Sequence, residues 1–186
     1  FIYTTVGISP NDVKQTLEET IEDIKKLEDI ITRKENDKIV GIGEIGLDYH
    51  YAEQSKKQQI EALEWQIDFA LRRNLSIEFH VRDAFDDFWA VLNNFKVKNA
   101  DIHSFTDSPK NAEEALARGY YIGLNGISTF TKINWQRDLY TSLPMDSILF
   151  ETDAPFLAPA PFRGKINEPA RIKQIAEYHA NARGVS

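Results

Sequence analysis

The chain has 186 residues, of which 42% are hydrophobic and none is cysteine, and it carries a formal net charge of −7 at pH 7. This composition suits one soluble domain with a sizeable core, and it excludes disulfides, thiolate metal sites and a membrane span of ~18 apolar residues. The acidic charge also disfavours binding of nucleic acid through a generally basic surface. We predict a cytoplasmic protein, because a chain without cysteine fits a reducing compartment.

Short apolar runs of strand length alternate with helical patterns along the chain. The stretch 13–31 carries an apolar stripe at a spacing of three or four residues, Ser55 can cap a second helix, and proline in the stretch 167–169 suits a first helical turn. The runs are not strictly alternating, which is typical of parallel strands covered on both faces. The predicted strands cover residues 2–8, 39–42, 75–79, 100–102, 120–124 and 148–150, and further helices are predicted over 83–95, 109–118 and 134–141.

The alternation of strands and helices predicts an α/β fold, and we favour a TIM (β/α)8 barrel. Six strand–helix units can be counted, whereas a barrel needs eight. Because the chain opens abruptly on an apolar run, we expect a single barrel domain over 1–186 that lacks its first two βα units. A doubly wound open sheet is the alternative, but such a sheet would carry a glycine-rich phosphate loop after its first strand, and the sequence has none there.

Acidic or imidazole side chains follow four of the apolar runs. Glu44 ends the run at 39–42, His80 follows 75–79, His103 follows 100–102, and Asp153 comes soon after 148–150. In a barrel these strand ends meet at one mouth, where active sites of this fold lie. Two imidazoles and two carboxylates suit Zn, Mn or Fe, or Mg where carboxylates dominate, and a bridging carboxylate can hold two ions ~4 Å apart. Bound cations would also supply the positive charge that a phosphate-rich substrate requires.

Each of these residues also has a structural interpretation. A lone histidine at a strand end is more often a hydrogen-bonded rim residue, and a strand-end acid often caps the next helix. Four such positions on four strands favour the metal site. Arg82 and Arg163 are candidate phosphate clamps by guanidinium geometry, with surface ion pairs as an equal alternative. His50 allows a substrate-facing role, whereas His179 is predicted to lie on the surface.

Five motifs, in the same order, resemble those of the TatD family of metal-dependent deoxyribonucleases. They are GEIGLDY at 43–49, HVRDA at 80–84, HSFT at 103–106, ETDAPFL at 151–157 and RGKINEP at 163–169. The resemblance implies an amidohydrolase-type TIM barrel that hydrolyses DNA phosphodiesters with two divalent ions, Mg, Mn or Zn. It implies that Glu44 bridges the ions, that His80 and His103 ligate one of them, and that Asp153 ligates the other and helps to activate the attacking water.

The chain departs from the family pattern at three points. It contains no H-x-H pair of the kind that the family carries on its first strand, so we expect those ligands upstream of residue 1. Ser9, in the segment VGISP at 6–10, replaces a family histidine, which puts any substrate role of that position in doubt. The chain also ends at 186, where the family continues through more helix, so we expect a barrel that is partial at its C-terminal end as well.

The leading hypothesis is a metal-dependent hydrolase that cleaves DNA exonucleolytically, at strand ends or on single strands. Trp135, Phe130, Tyr49 and Tyr51 are candidates for stacking on bases, although local packing is favoured for each one taken singly. The second hypothesis is a related metallohydrolase that acts on a non-nucleic-acid ester or amide. The third is a noncatalytic barrel, which Ser9 and the missing H-x-H pair favour but the four candidate ligands oppose.

Overall fold

The structure is a computed structural model and describes residues 2–14, 16–33, 37–50 and 55–185. Over these residues strands and helices alternate along the chain, as predicted. The chain divides into two compact units, Phe1–Asp101 and Ile102–Ser186. Within the described part of the chain, no helix is long and apolar enough to cross a bilayer.

The first unit contains three parallel strands and the start of a fourth, each followed by a helix. β1 (Thr4–Val6), β2 (Ile39–Asp48) and β3 (Ser76–Arg82) pair in parallel in chain order, and β4 (Ala100–Ile102) lies next to β3. Buried apolar side chains, among them Ile45, Leu47 and Phe79, belong to the core, and the Phe79 ring packs edge-on against Phe88 with the ring centroids 5.0 Å apart. The elements are β1 (Thr4–Val6), α1 (Leu17–Thr32), β2 (Ile39–Asp48), α2 (Lys56–Arg73), β3 (Ser76–Arg82), α3 (Phe85–Leu92) and β4 (Ala100–Ile102).

β2 is longer than its apolar run predicts. The run ends at Ile42, but the strand continues to Asp48, so Glu44 lies inside the strand and the prediction that it ends the strand was wrong. The pairing of β2 with β3 shifts register between Ile42 and Ile45, at the position of Glu44. Such an irregularity re-aims a side chain and is common beside active sites. β3 likewise continues past His80 to Arg82.

The second unit contains the end of β4, two further strands and three helices. β5 (Tyr121–Leu124) and β6 (Ile148–Phe150) pair in parallel, with Ile122 opposite Ile148. The predicted helices are confirmed with small changes at their ends, and the last helix begins after a 3₁₀ turn at Pro169–Arg171. The elements are α4 (Pro109–Ala117), β5 (Tyr121–Leu124), α5 (Asn134–Ser142), β6 (Ile148–Phe150) and α6 (Ile172–Arg183).

His179 lies in the core of the second unit, and the prediction that it is on the surface was wrong. Its side chain is 1% exposed, its ring stacks on Phe150 at a centroid distance of 5.4 Å, and its Nε2 lies 2.8 Å from the Ser128 hydroxyl. Burial, with a smaller contribution from the charge of Arg183, lowers the pKa of His179 to about 4. The histidine is therefore neutral in the folded protein at pH 7.

We expect the free energy of unfolding to fall as the pH drops from about 6.5 to about 4, since the unfolded state then binds a proton that folded His179 excludes. His179→Gln should flatten this dependence by up to about 1.4 kcal/mol per pH unit. Urea unfolding at several pH values within this window measures the slope. His50→Gln, at an exposed histidine, is the control. Equal slopes for His179→Gln and the parent protein would contradict the assignment.

Candidate functional site

The first unit brings two of the predicted metal ligands into contact. His80 Nδ1 lies 2.8 Å from Glu44 Oε1. On the other side of the ring, His80 Nε2 lies 2.9 Å from Asp48 Oδ2. Both nitrogens of one imidazole therefore face carboxylate oxygens.

This contact fits a cation site. When His80 Nε2 donates its hydrogen to Asp48, Nδ1 presents a lone pair towards an oxygen of Glu44. Two such acceptors at 2.8 Å require a cation between them, either a proton or a metal ion. Ligand atoms about 2.0–2.2 Å from one metal lie about 3 Å apart, and imidazole with carboxylate is a ligand pair that suits Zn, Mn and Fe.

Asp48 contacts the His80 imidazole at Nε2, the ring nitrogen that does not face Glu44, and hydrogen bonds fix the position of Asp48 itself. Its carboxylate is buried, with the residue 0% exposed, and Oδ1 accepts a hydrogen bond from the His50 backbone N–H at 2.9 Å. Gln59 on α2 accepts from the Asp48 N–H at 2.8 Å and donates to the Asp48 carbonyl at 3.0 Å. Carboxylates that orient ligating histidines commonly have such support.

Sequence reasoning assigned no role to Asp48 or Gln59, although signals for both were present. Asp48 belongs to the GEIGLDY stretch at 43–49. Gln59 lies four residues before Leu63 on the apolar side of α2, and it is fully buried. A polar side chain at a helical position that faces the core needs a partner, and here that partner is the backbone beside the site.

The second unit places His103 beside a carboxylate that sequence reasoning did not select. His103 directly follows β4, Glu151 directly follows β6, and Nδ1 of His103 lies 3.5 Å from Oε2 of Glu151. The other oxygen of Glu151 accepts the Ser104 N–H at 2.5 Å. Asn125, the residue after β5, donates to the Ser104 hydroxyl at 2.6 Å. These contacts orient the imidazole from the ends of neighbouring strands.

Asp153 lies in the turn that follows β6. Its backbone is in the left-handed region, with φ of 54°, and its carbonyl accepts the Phe156 N–H at 2.8 Å. Asn167 fixes the chain on both sides of it, because its side chain donates to the Thr152 carbonyl at 2.7 Å and its N–H donates to the Pro155 carbonyl at 2.9 Å. That Asp153, His103, Glu44 and His80 share one metal centre stays a prediction.

The two candidate phosphate clamps differ in their surroundings. Arg82 ends β3 with an exposed side chain, and its carbonyl accepts the Tyr49 N–H at 3.0 Å. Arg163 stacks on an aromatic ring, with its guanidinium carbon 3.6 Å from the centroid of Phe130. Neither arrangement tests phosphate binding, which stays a prediction for both residues.

The remaining candidates have local contacts. Nδ1 of His50 lies 3.0 Å from a carboxylate oxygen of Asp83. The hydroxyl of Tyr49 donates to Asp87 at 2.8 Å, and partial burial, together with that carboxylate, raises the pKa of the Tyr49 hydroxyl. Trp135 is exposed on α5. Tyr51 lies outside the described residues.

Comparison with known proteins places these features in a family. The family model described as TatD related DNase matches residues 1–186. The chain is 38% identical over 182 residues to the "uncharacterized metal-dependent hydrolase YabD" of Bacillus subtilis, covering 95% of this chain and 68% of that protein. It is 31% identical over 191 residues to the "3'-5' ssDNA/RNA exonuclease TatD" of Erwinia billingiae, covering 99% and 71%.

A solved structure agrees with the predicted fold class. The crystal structure of YJJV, a TatD homologue from Escherichia coli K12, superposes with a TM-score of 0.82 and 26% identity, over 97% of this chain and 68% of that one. The predicted TIM-barrel type of α/β fold is thereby confirmed. Across these and other curated relatives the chain spans 61% to 71% of their length. The match along all 186 residues, with relatives named as metal-dependent hydrolases, shows that the chain belongs to the TatD-related family of hydrolytic enzymes.

Proposed function

We propose that this chain forms the catalytic part of a metal-dependent nuclease that releases nucleotides from the ends of single-stranded DNA. The observation that carries the proposal is the contact of Glu44 with His80, backed by the buried Asp48. A relative 31% identical is named a 3'-5' ssDNA/RNA exonuclease. Together they favour hydrolysis of a phosphodiester over another ester or an amide.

The proposed ligand set follows the four strand-end residues. Glu44 would be the ligand shared by two divalent ions, His80 and His103 would hold one of them, and Asp153 would hold the other. When bound, such ions lower the pKa of a water molecule and offset the negative charge of the phosphate. Mg, Mn and Zn are the candidate metals, since imidazole and carboxylate ligands are compatible with all three.

The protein's own side chains have separate roles in this proposal. Asp48 keeps the His80 ring in one orientation, and Glu151 does the same for His103. Asp153 accepts a proton from the attacking water, for which its half-buried position in the turn after β6 is suitable. Arg82 is proposed to bind a phosphate oxygen of the substrate through its guanidinium.

Release of mononucleotides from single-stranded DNA by the purified natural protein tests the function. We expect release with Mg²⁺ or Mn²⁺, none in EDTA, and recovery when the metal is added back. An ester or amide substrate that is hydrolysed while DNA is not would instead support a related metallohydrolase. A folded protein that hydrolyses none of these substrates would refute catalysis.

A further inference from the structure

A groove in the second unit begins at the turn that holds Asp153. Its walls are formed by Phe130, Phe156, Leu157, Arg163, Lys165 and Ile166, and its volume is about 640 Å³. We refer to it as the Phe156 groove.

Two large apolar side chains on the groove are open to solvent. Phe156 is 68% exposed and Ile166 is 76% exposed, so neither contributes to the core. Exposed apolar side chains gathered at one concave surface mark binding sites more often than single ones do. The position of Phe156 and Ile166 in the Phe156 groove therefore predicts a ligand with an apolar face.

The groove is also locally cationic, although the protein is acidic. The stretch 154–167 contains Arg163 and Lys165 but no aspartate or glutamate, whereas the whole chain has a net charge of −7. The guanidinium of Arg163 lies over the Phe130 ring, and a guanidinium held against an aromatic ring can still bind an anion through its N–H groups. The groove thus combines apolar faces with positive charge.

Hydrogen bonds hold the loop around the groove in place. The Lys165 N–H donates to the Phe162 carbonyl at 3.1 Å, and the Phe162 N–H donates to the Pro159 carbonyl at 2.7 Å. The guanidinium of Arg171 covers the Phe162 ring at 4.5 Å. Asn167 bonds the end of the loop to the chain on either side of Asp153. A groove fixed in this way needs little ordering when a ligand binds.

We propose that the Phe156 groove binds one nucleotide of a DNA single strand next to the phosphate that is cleaved. The base lies against Phe156 and Ile166, and the phosphate lies at Lys165 and Arg163. This inference rests on the proposed nuclease function and assigns a binding subsite to it. The nucleotide must be unpaired, because the faces of a base in a duplex are already covered by its neighbours.

The test measures binding in EDTA, so that no strand is cleaved. A fluorescent single-stranded oligodeoxynucleotide is titrated with protein, alongside an abasic strand of the same length. Phe156→Ala should raise the Kd for the normal strand by about tenfold and should leave the Kd for the abasic strand unchanged. Lys165→Gln should raise both values and reduce their dependence on salt.

Tyr121→Ala is the matched control, because Tyr121 is an exposed aromatic residue of the same unit outside the groove. It should change neither Kd. Circular dichroism confirms that each variant is folded, as expected for changes at exposed side chains.

The outcomes separate the subsite from the function. If the protein releases nucleotides but Phe156→Ala binds the normal strand as tightly as the parent protein does, the subsite is overturned and the nuclease function stands. If Phe156→Ala weakens binding of the normal strand alone while the parent protein releases no nucleotide, the subsite stands and hydrolysis is overturned. If the parent protein binds the normal strand and the abasic strand equally, the apolar side chains of the groove do not bind a base and the inference fails.

Discussion

Glu44→Gln is expected to lower metal-dependent nucleotide release by about 10²–10³-fold. Glutamine keeps the shape of the side chain but removes the negative charge beside His80 Nδ1, where the carboxylate oxygen now lies at 2.8 Å. A neutral amide is a weaker ligand for a divalent ion, and it cannot bridge two ions as a carboxylate does. Turnover at saturating metal and the metal concentration at half-activity are the measurements, and both should change.

Asp48→Asn gives a graded comparison with Glu44→Gln. Asp48 does not belong to the proposed ligand set but orients His80 through Nε2, and loss of such support commonly reduces metal affinity or activity by about 10–100-fold. Glu61→Gln, which removes a carboxylate on α2 near Lys57, is the control and should stay within about twofold of the parent protein. Parent-like activity in Glu44→Gln would refute the metal assignment.

The helices and most strands could be predicted because their signals are local. Ser108 caps α4 by accepting the Asn111 N–H at 3.4 Å, and proline follows at the first helical position. The apolar runs at 100–102 and 148–150 coincide with β4 and β6, so the predicted position of His103 at a strand end was correct. Alternation of these elements was sufficient to predict the fold class.

The full length of β2 could not be predicted in this way. Gly43, Glu44 and Gly46 interrupt the apolar pattern, so the local signal ends at Ile42. The strand continues because its backbone pairs with β3, a segment more than thirty residues away. Pairing between distant segments leaves no trace in the periodicity of either one. For this reason Glu44 was assigned to a strand end although it lies inside a strand.

Buried polar residues were missed for a related reason. His179 on α6 contacts Ser128, which lies in another element, and Gln59 on α2 bonds to the backbone of Asp48. A histidine or glutamine on a helix has the same appearance in sequence whether its partner is water or the protein. Spacing relative to apolar neighbours was the one available signal, and it was strong for Gln59, four residues before Leu63.

Gly46→Ala is expected to destabilise the protein by about 3 kcal/mol or more, which lowers Tm by about 6–12 °C for a chain of this size. Gly46 pairs with His80 in the sheet. A Cβ at this position would lie 1.8 Å from the His80 carbonyl oxygen and 2.7 Å from its carbonyl carbon. These atoms belong to the backbone of a paired strand, so they cannot move aside as the end of a flexible side chain could.

The cost of Gly46→Ala must be separated from the cost of an unusual backbone angle, since Gly46 has φ of 155°. Gly119→Ala provides the comparison, because Gly119 has φ of 78° and nothing lies within 4 Å of its added Cβ. Gly119→Ala should lower the free energy of unfolding only by the cost of placing alanine in the left-handed conformation, about 1–2 kcal/mol. Thermal melts of both variants give the difference, which contains the steric clash and the additional cost of the rarer backbone angle at Gly46. Equal destabilisation would mean that β2 and β3 can separate at Gly46, and the fixed spacing of Glu44 and His80 would then lack its structural basis.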